Sequence, residues 1–155
     1  MDIQASIEQV AGILSRADLQ FQTHQDGDSY RLLFGEEAVF IHFDQFGEHV
    51  RIYLTSPALQ QLDPEDAGYA VLLNAVNDLN LSHRFAKWVI NDETTLLGVH
   101  DLLGDSLQAG ELLNAVYALA SAADDTATRY ADATGGIRYA AATGVFDEVE
   151  DDIEF

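Results

Sequence analysis

The sequence predicts an α+β fold in which helices cover an antiparallel sheet. Two patterns lead to this class. Three segments carry apolar residues at the spacing of an amphipathic helix, and the stretches between them alternate apolar and polar residues in short runs joined by tight turns. Short connections pair neighbouring strands antiparallel, because a parallel pair needs a long crossover. The predicted order is α-β-β-β(-β)-α-β-β-α, and strands grouped in this way between helices are typical of α+β domains.

The N-terminal half predicts one helix followed by a meander of strands. Residues 2–16 form the helix, because apolar residues recur at helical spacing from Ile3 to Leu14. The period then changes to two, and an Asp-Gly pair in residues 25–28 supplies a hairpin turn. Pro57 is predicted to end the meander, since proline cannot donate to a strand ladder. The predicted strands are 30–34, 38–43 and 49–55, with a loop at 44–48, and the segment from 19 to 22 is the optional fourth strand.

The C-terminal half predicts a helix, a hairpin and a final helix. Asp63 is the predicted cap of the first of these helices, because its side chain can accept from free backbone N–H groups and Pro64 fits the first turn. Apolar residues at helical spacing continue this helix to about Asn80. Two strands are then predicted over 82–90 and 94–102 around a turn at 91–93, and the last helix follows 104–106 and ends near Tyr130.

Length and composition predict one folded domain with an acidic extension. A chain of 155 residues, of which 48% are hydrophobic, can bury a single core, and the domain is predicted to span residues 1–133. The segment 134–155 begins with Thr134 and a glycine pair, has weak periodicity and is dense in acidic residues. These properties predict a mobile C-terminal tail.

The charge of the chain excludes several classes of partner. Seven basic residues stand against 27 acidic ones, for a formal net charge of −20. Like-charge repulsion therefore excludes nucleic acids and anionic membranes, and no apolar run is long enough to predict a membrane span. No cysteine is present, which excludes disulfides and thiolate sites. The first residues lack the basic and apolar regions of a secretory signal, so a cytoplasmic protein is expected.

Catalytic motifs are missing from the sequence. It has five histidines but no HExxH pair, no GxSxG motif and no glycine-rich phosphate loop. One alternative stays open: His42 and His100 lie on predicted strands that could be neighbours. Asp44 and Asp101 are near them in sequence, so the four side chains could form a metal-dependent catalytic site. The sequence favours a non-enzymatic protein without a metal or cofactor.

Apolar residues on both faces of the predicted strands indicate a surface for a partner. Helices should cover the face that holds Trp88 and Ala86, and the second face of such a sheet is usually polar. Here it is apolar, which typically marks a contact with another molecule. The alternative is that the helices cover parts of both faces. The residues predicted to meet a partner are Phe40, Tyr53, Phe85, Lys87, Val89 and Leu96.

One stretch of the sequence carries a family resemblance. Residues 72–103, LLNAVNDLNLSHRFAKWVINDETTLLGVHDLL, and the later helix with ALASAADD resemble the YbjN family, which is related in fold to the class I chaperones of type III secretion. The order of elements over about residues 1–130 matches as well. The resemblance implies a compact α+β domain, often a homodimer, that binds polypeptides and catalyses nothing.

Three functional hypotheses follow. The first is a dimeric, chaperone-like module that holds a peptide or protein client on the apolar sheet face or at a sheet edge. The second is a regulatory or structural subunit that binds one folded partner and uses the acidic tail as an arm. The third is the histidine–aspartate enzyme described above.

Overall fold

The computed structural model describes residues 2–24 and 28–139 and has the predicted α+β architecture, with one antiparallel sheet and three helices. The predicted fold class is therefore confirmed. The elements are α1 (Ile3–Arg16), β1 (Gln22–Thr23), β2 (Ser29–Phe34), β3 (Glu37–Phe46), β4 (His49–Leu59), α2 (Ala67–Ser82), β5 (Lys87–Asn91), β6 (Thr95–Leu103) and α3 (Ala109–Thr134), with a 3₁₀ turn at Gly104–Ser106.

The six strands lie in the order β1-β2-β3-β4-β6-β5, and all neighbours are antiparallel. Strands β2 to β4 form the predicted meander. The optional strand predicted at 19–22 is displaced to the two residues of β1. The hairpin β5–β6 follows α2 and joins the sheet through β6, so β5 becomes the outermost strand. None of the described helices is long and apolar enough to cross a membrane.

All three helices pack on one face of the sheet and form a single core with it. Residues that pair across neighbouring strands share a face of the sheet. Ile41 of β3 pairs with Leu54 of β4, and both are buried in this core together with Ile52. Helix contacts reach the same face: the Tyr30 hydroxyl donates to the carbonyl of Ile7 in α1. The helices of the described residues, α1 to α3, therefore do not divide between the two faces, which was the alternative that the sequence left open.

Two predicted strand boundaries are wrong. Strand β3 extends through most of the predicted loop to Phe46, and β4 continues past Pro57 to Leu59. Proline is tolerated there because the β3–β4 ladder ends at Thr55, and beyond it β4 pairs only with β6. The hydroxyl of Ser56 donates to the carbonyl of Ala38 at 2.7 Å and thereby holds β3 and β4 together where the ladder stops.

The start of α2 and the start of β5 also differ from the prediction. Asp66, not Asp63, caps α2, and its carboxylate accepts from the backbone of Gly68 at 2.8 Å. Asp63 instead accepts from the backbone of Glu65 in the turn before the helix. Because α2 continues through Ser82, β5 begins five residues later than predicted, at Lys87.

Helix α3 ends at Thr134, where Gly135 adopts the left-handed conformation that favours glycine after a helix. The next residues return to the sheet: Ile137 and Gln60 exchange two backbone hydrogen bonds of 2.7 and 2.9 Å, and Tyr139 is buried. The first residues of the predicted tail are therefore packed on the domain. Residues 140–155, the remainder of that tail, lie outside the described residues, as do the turn residues 25–27.

Candidate functional site

The sheet face opposite the helices, called the open face below, holds most of the side chains predicted for a partner. Cross-strand pairing places Phe40 opposite Thr55, and Lys87 opposite Val99, on this face. Phe85 is not in a strand but lies in the loop before β5, with 68% of its surface exposed. The open face carries Leu33, Phe40, His42, Arg51, Tyr53, Lys87, Val89, Leu97 and Val99.

Leu96 does not lie on the open face, and its predicted placement is wrong. It pairs with Ile90 and Leu59 on the helix-covered face and is completely buried. Leu97 and Val99, its neighbours on β6, occupy the open face instead. Gly98 holds the signal that was missed: it lies opposite Trp88, and a Cβ atom there would lie 3.0 Å from Leu119 of α3 and 3.3 Å from the indole ring, so a side chain would crowd both. A glycine beside the one tryptophan indicates which face of β6 is buried.

An aromatic row crosses the open face from β3 to β4. The ring of His42 stacks on Tyr53 with centroids 4.7 Å apart and on Phe40 at 6.2 Å. Tyr139 meets Phe40 edge-on at 5.7 Å, so the C-terminal segment covers one end of the row. Burial lowers the pKa of His42, which favours the neutral imidazole. The imidazole within the row is therefore uncharged near neutral pH.

The histidine–aspartate site of the third hypothesis does not assemble. His42 lies on the open face opposite Tyr53, whereas His100 pairs with Leu54 on the other face. Asp44 is held in an ion pair with Arg51, which lowers the pKa of this carboxyl. Within the described residues, no group of histidines and acids has the arrangement of a metal site.

Two clefts flank Phe85 at the start of β5. One has a volume of about 470 Å³ and lies at the first residue of β5, beside residues 99–101 of β6. The other, of about 330 Å³, lies between the 83–86 loop and α3. The first, called the cationic cleft below, is lined by His83, Arg84, Phe85, Lys87, His100 and Asp101 among others. The second, called the apolar cleft, includes Phe85, Ala86, Ala118 and Ala122.

The side chains of α2 hold this region in place and close part of the β5 edge. Asn80 accepts from the backbone N–H of Trp88 at 2.7 Å and donates to its carbonyl at 3.1 Å, as a neighbouring strand would. The indole N–H of Trp88 donates to Nδ1 of His83 at 2.9 Å. The side chain of Asn80 thus occupies the backbone N–H and C=O groups of Trp88, and an added strand cannot pair with the edge of β5 at that residue.

Known proteins share this fold. A chain of the crystal structure of the ExsC-ExsE complex aligns with a TM-score of 0.60 and 17% identity, over 84% of this chain and 97% of that one. A chain of the HopA1-SchA chaperone-effector complex aligns with a TM-score of 0.53 and 11% identity, over 85% and 98%. No curated protein matches the chain.

The fold and the site define a small α+β domain in which the described helices leave the open face without a covering layer. The family model "TY-Chap1: T3SS (YopN, CesT) and YbjN peptide-binding chaperone 1" matches residues 4–142, and the chain belongs to this family. The resemblance to YbjN and type III secretion chaperones is therefore confirmed. The matched segment reaches past the end of α3 and includes the returning residues 137–139.

Proposed function

We propose that this protein is a chaperone-like module that holds an extended segment of a client polypeptide on the open face and catalyses no reaction. The observation that carries the proposal is the packing of all three helices on one side of the sheet, which leaves apolar side chains of β3 to β6 on the other. Membership of a peptide-binding chaperone family supports it. Removing an apolar face of this kind from water lowers the free energy, so the face favours binding of a partner.

The client is proposed to bind the face and not the outer edge of β5. The carboxamide of Asn80 already occupies the backbone groups of Trp88 at that edge. We therefore assign client contact to the members of the predicted set that are not buried and to two residues added from the structure, while Leu96 supports the surface from beneath. The proposed contacts are Phe40, Tyr53, Phe85, Lys87, Val89, Leu97 and Val99.

Replacing Phe85 by alanine is expected to weaken client binding at least about tenfold. An aromatic ring that is exposed in the free protein and buried by a client contributes about 1.5 to 3 kcal/mol. Binding is measured by fluorescence anisotropy, with a labelled peptide selected by the protein from an array of random short peptides. Folding should change little, because 68% of the Phe85 surface is already exposed.

Phe46→Ala is the matched control. Phe46 is 62% exposed but ends β3, and the two strands β4 and β6 lie between β3 and β5 in the sheet. Its replacement should leave peptide affinity unchanged. Equal loss of affinity in both variants would mean that exposed phenylalanines act non-specifically. An array from which the wild-type protein selects no peptide would contradict the proposed function itself.

We further propose that the protein is a homodimer in the cytoplasm. Helix α2 exposes Val71, Leu73 and Leu81, each by half or more, and we propose that the end of the helix around Leu81, which is 75% exposed, meets the second copy. Sedimentation equilibrium should report twice the 17.0 kDa chain mass. Leu81→Lys should shift the mass towards a monomer, because a charge buried in an apolar interface is costly. A wild-type protein that sediments as a monomer at all concentrations would contradict the dimer.

A further inference from the structure

Two of the few cations of this acidic chain meet in the cationic cleft. Arg84 lies in the loop before β5, and Lys87, the one lysine of the sequence, begins the strand. Both line the same cleft, and Phe85 between them forms an uncharged part of its wall. Asp101 is the one carboxylate among the lining residues, so two positive charges face one negative charge there.

Arg84 and Lys87 differ from two other cations of the chain in having no ion-pair partner among the described residues. Arg51 is paired with Asp44, and Arg138 with Glu37 and Asp124. Arg84 and Lys87 have no carboxylate within ion-pair distance among the described residues. A cleft that concentrates positive charge on a chain of net charge −20 is a local exception to the field of the molecule.

The neighbourhood of the cleft fits an extended polypeptide. Strand β6 continues for residues 100–103 beyond its pairing with β5, and no described strand pairs with it on that edge. The apolar cleft adjoins the cationic cleft, because both are lined by His83, Arg84 and Phe85. Successive side chains of an extended segment point in opposite directions, so neighbouring residues can enter the two clefts on either side of Phe85.

We propose that the cationic cleft binds a client segment in which a carboxylate-bearing residue stands next to an apolar one. The carboxylate pairs with Arg84 and Lys87, and the apolar side chain enters the apolar cleft. A long acidic run is not the ligand, because the remaining surface repels it, and the site selects one carboxylate in an apolar context. This inference rests on the proposed function and names the class of segment that the surface selects.

The test compares two labelled peptides that differ by one functional group. One contains a Leu-Asp pair in a neutral serine–glycine context, and the other contains Leu-Asn in the same place. We expect the wild-type protein to bind the aspartate peptide about tenfold more tightly in anisotropy titrations, as for one charge-assisted contact. The double variant Arg84→Gln/Lys87→Gln should bind both peptides with the affinity that the wild type has for the asparagine peptide.

The control Arg16→Gln/Arg129→Gln removes two cations elsewhere that are likewise in no ion pair with a described residue, and it should keep the preference. Equal wild-type affinity for both peptides, or a preference that persists in the Arg84/Lys87 variant, would overturn the inference. The proposed function would survive either result, since it fails only if peptides of every composition are ignored. If the Arg84/Lys87 variant changes the sedimentation mass and not peptide binding, a second copy occupies the cleft and the inference is overturned.

Discussion

The variant Gly68→Ala is expected to lose about 3 kcal/mol of stability, at the upper end of what overpacking costs. Gly68 is the second residue of α2, and the first turn of that helix packs against the last turn of α3. A Cβ atom there would lie 2.0 Å from the carbonyl oxygen of Ala133 and 2.8 Å from Cα of Thr134. Both obstacles are backbone atoms, so no side-chain rotation relieves the collision and the two helices must separate.

Gly110→Ala is the matched control, because Gly110 is the second residue of α3 and no atom lies within 4 Å of a Cβ built on it. Alanine has the higher helix propensity, so this variant should gain about 0.5 to 1 kcal/mol. Urea unfolding followed by Trp88 fluorescence measures both, since this tryptophan is 1% exposed in the fold. Similar stabilities for the two variants would mean that the α2–α3 contact yields easily.

The order of elements was predictable because each helix and strand carries its own periodicity. Boundaries failed where a tertiary contact overrides local signals. Pro57 was expected to end a strand, yet β4 continues because its neighbour on one side has already ended. The α2–β5 boundary was placed too early because Asn80 and Ser82 have no strong helix signal, and it is the packing of α2 against Trp88 that extends the helix.

The candidate site was only partly predictable. Alternation alone placed Phe40, Tyr53 and Val89 on the open face. Successive side chains of a strand point to opposite faces, whichever residues the strand pairs with. It could not choose between the two parities of β6, and Leu96 was assigned to the wrong face. The clefts around Phe85 were also out of reach, since they depend on where β5 begins and on how α3 approaches the loop.

A buried carboxyl at the start of β3 links pH to the docking of the C-terminal segment. Glu37 is 2% exposed, and its Oε1 accepts from Arg138 at 2.6 Å. Its Oε2 is buried without a hydrogen-bond partner among the described residues. Arg138 also binds Asp124 in α3, so this one arginine joins the returning segment to both the sheet and the helix. Burial raises the pKa of Glu37 to about 7, although Arg138 opposes the shift.

Stability should therefore fall as the pH rises from about 4.5 to about 7. In that window the folded state holds a proton on Glu37 that the unfolded chain has already released, so the contribution is complete below pH 4.5 and lost above the folded pKa of about 7. A shift of this size corresponds to about 3 kcal/mol. Urea unfolding at pH 5 and pH 8 measures the loss, and Glu37→Gln should remove this part of it, because the amide has no charge to bury.

The variant Glu36→Gln is the matched control. It separates the effect of burying one carboxyl on the pH dependence of stability from the effect of lowering the negative charge of the chain. Glu36 has a side chain that is 70% exposed and a longer, 3.6 Å contact with the same arginine. Its replacement removes the same charge but should keep the wild-type difference between pH 5 and pH 8. If Glu37→Gln shows that difference too, Arg138 outweighs burial and keeps Glu37 ionised throughout. If only Glu37→Gln loses it, protonation of one buried carboxyl sets how firmly residues 137–139 hold the end of the open face.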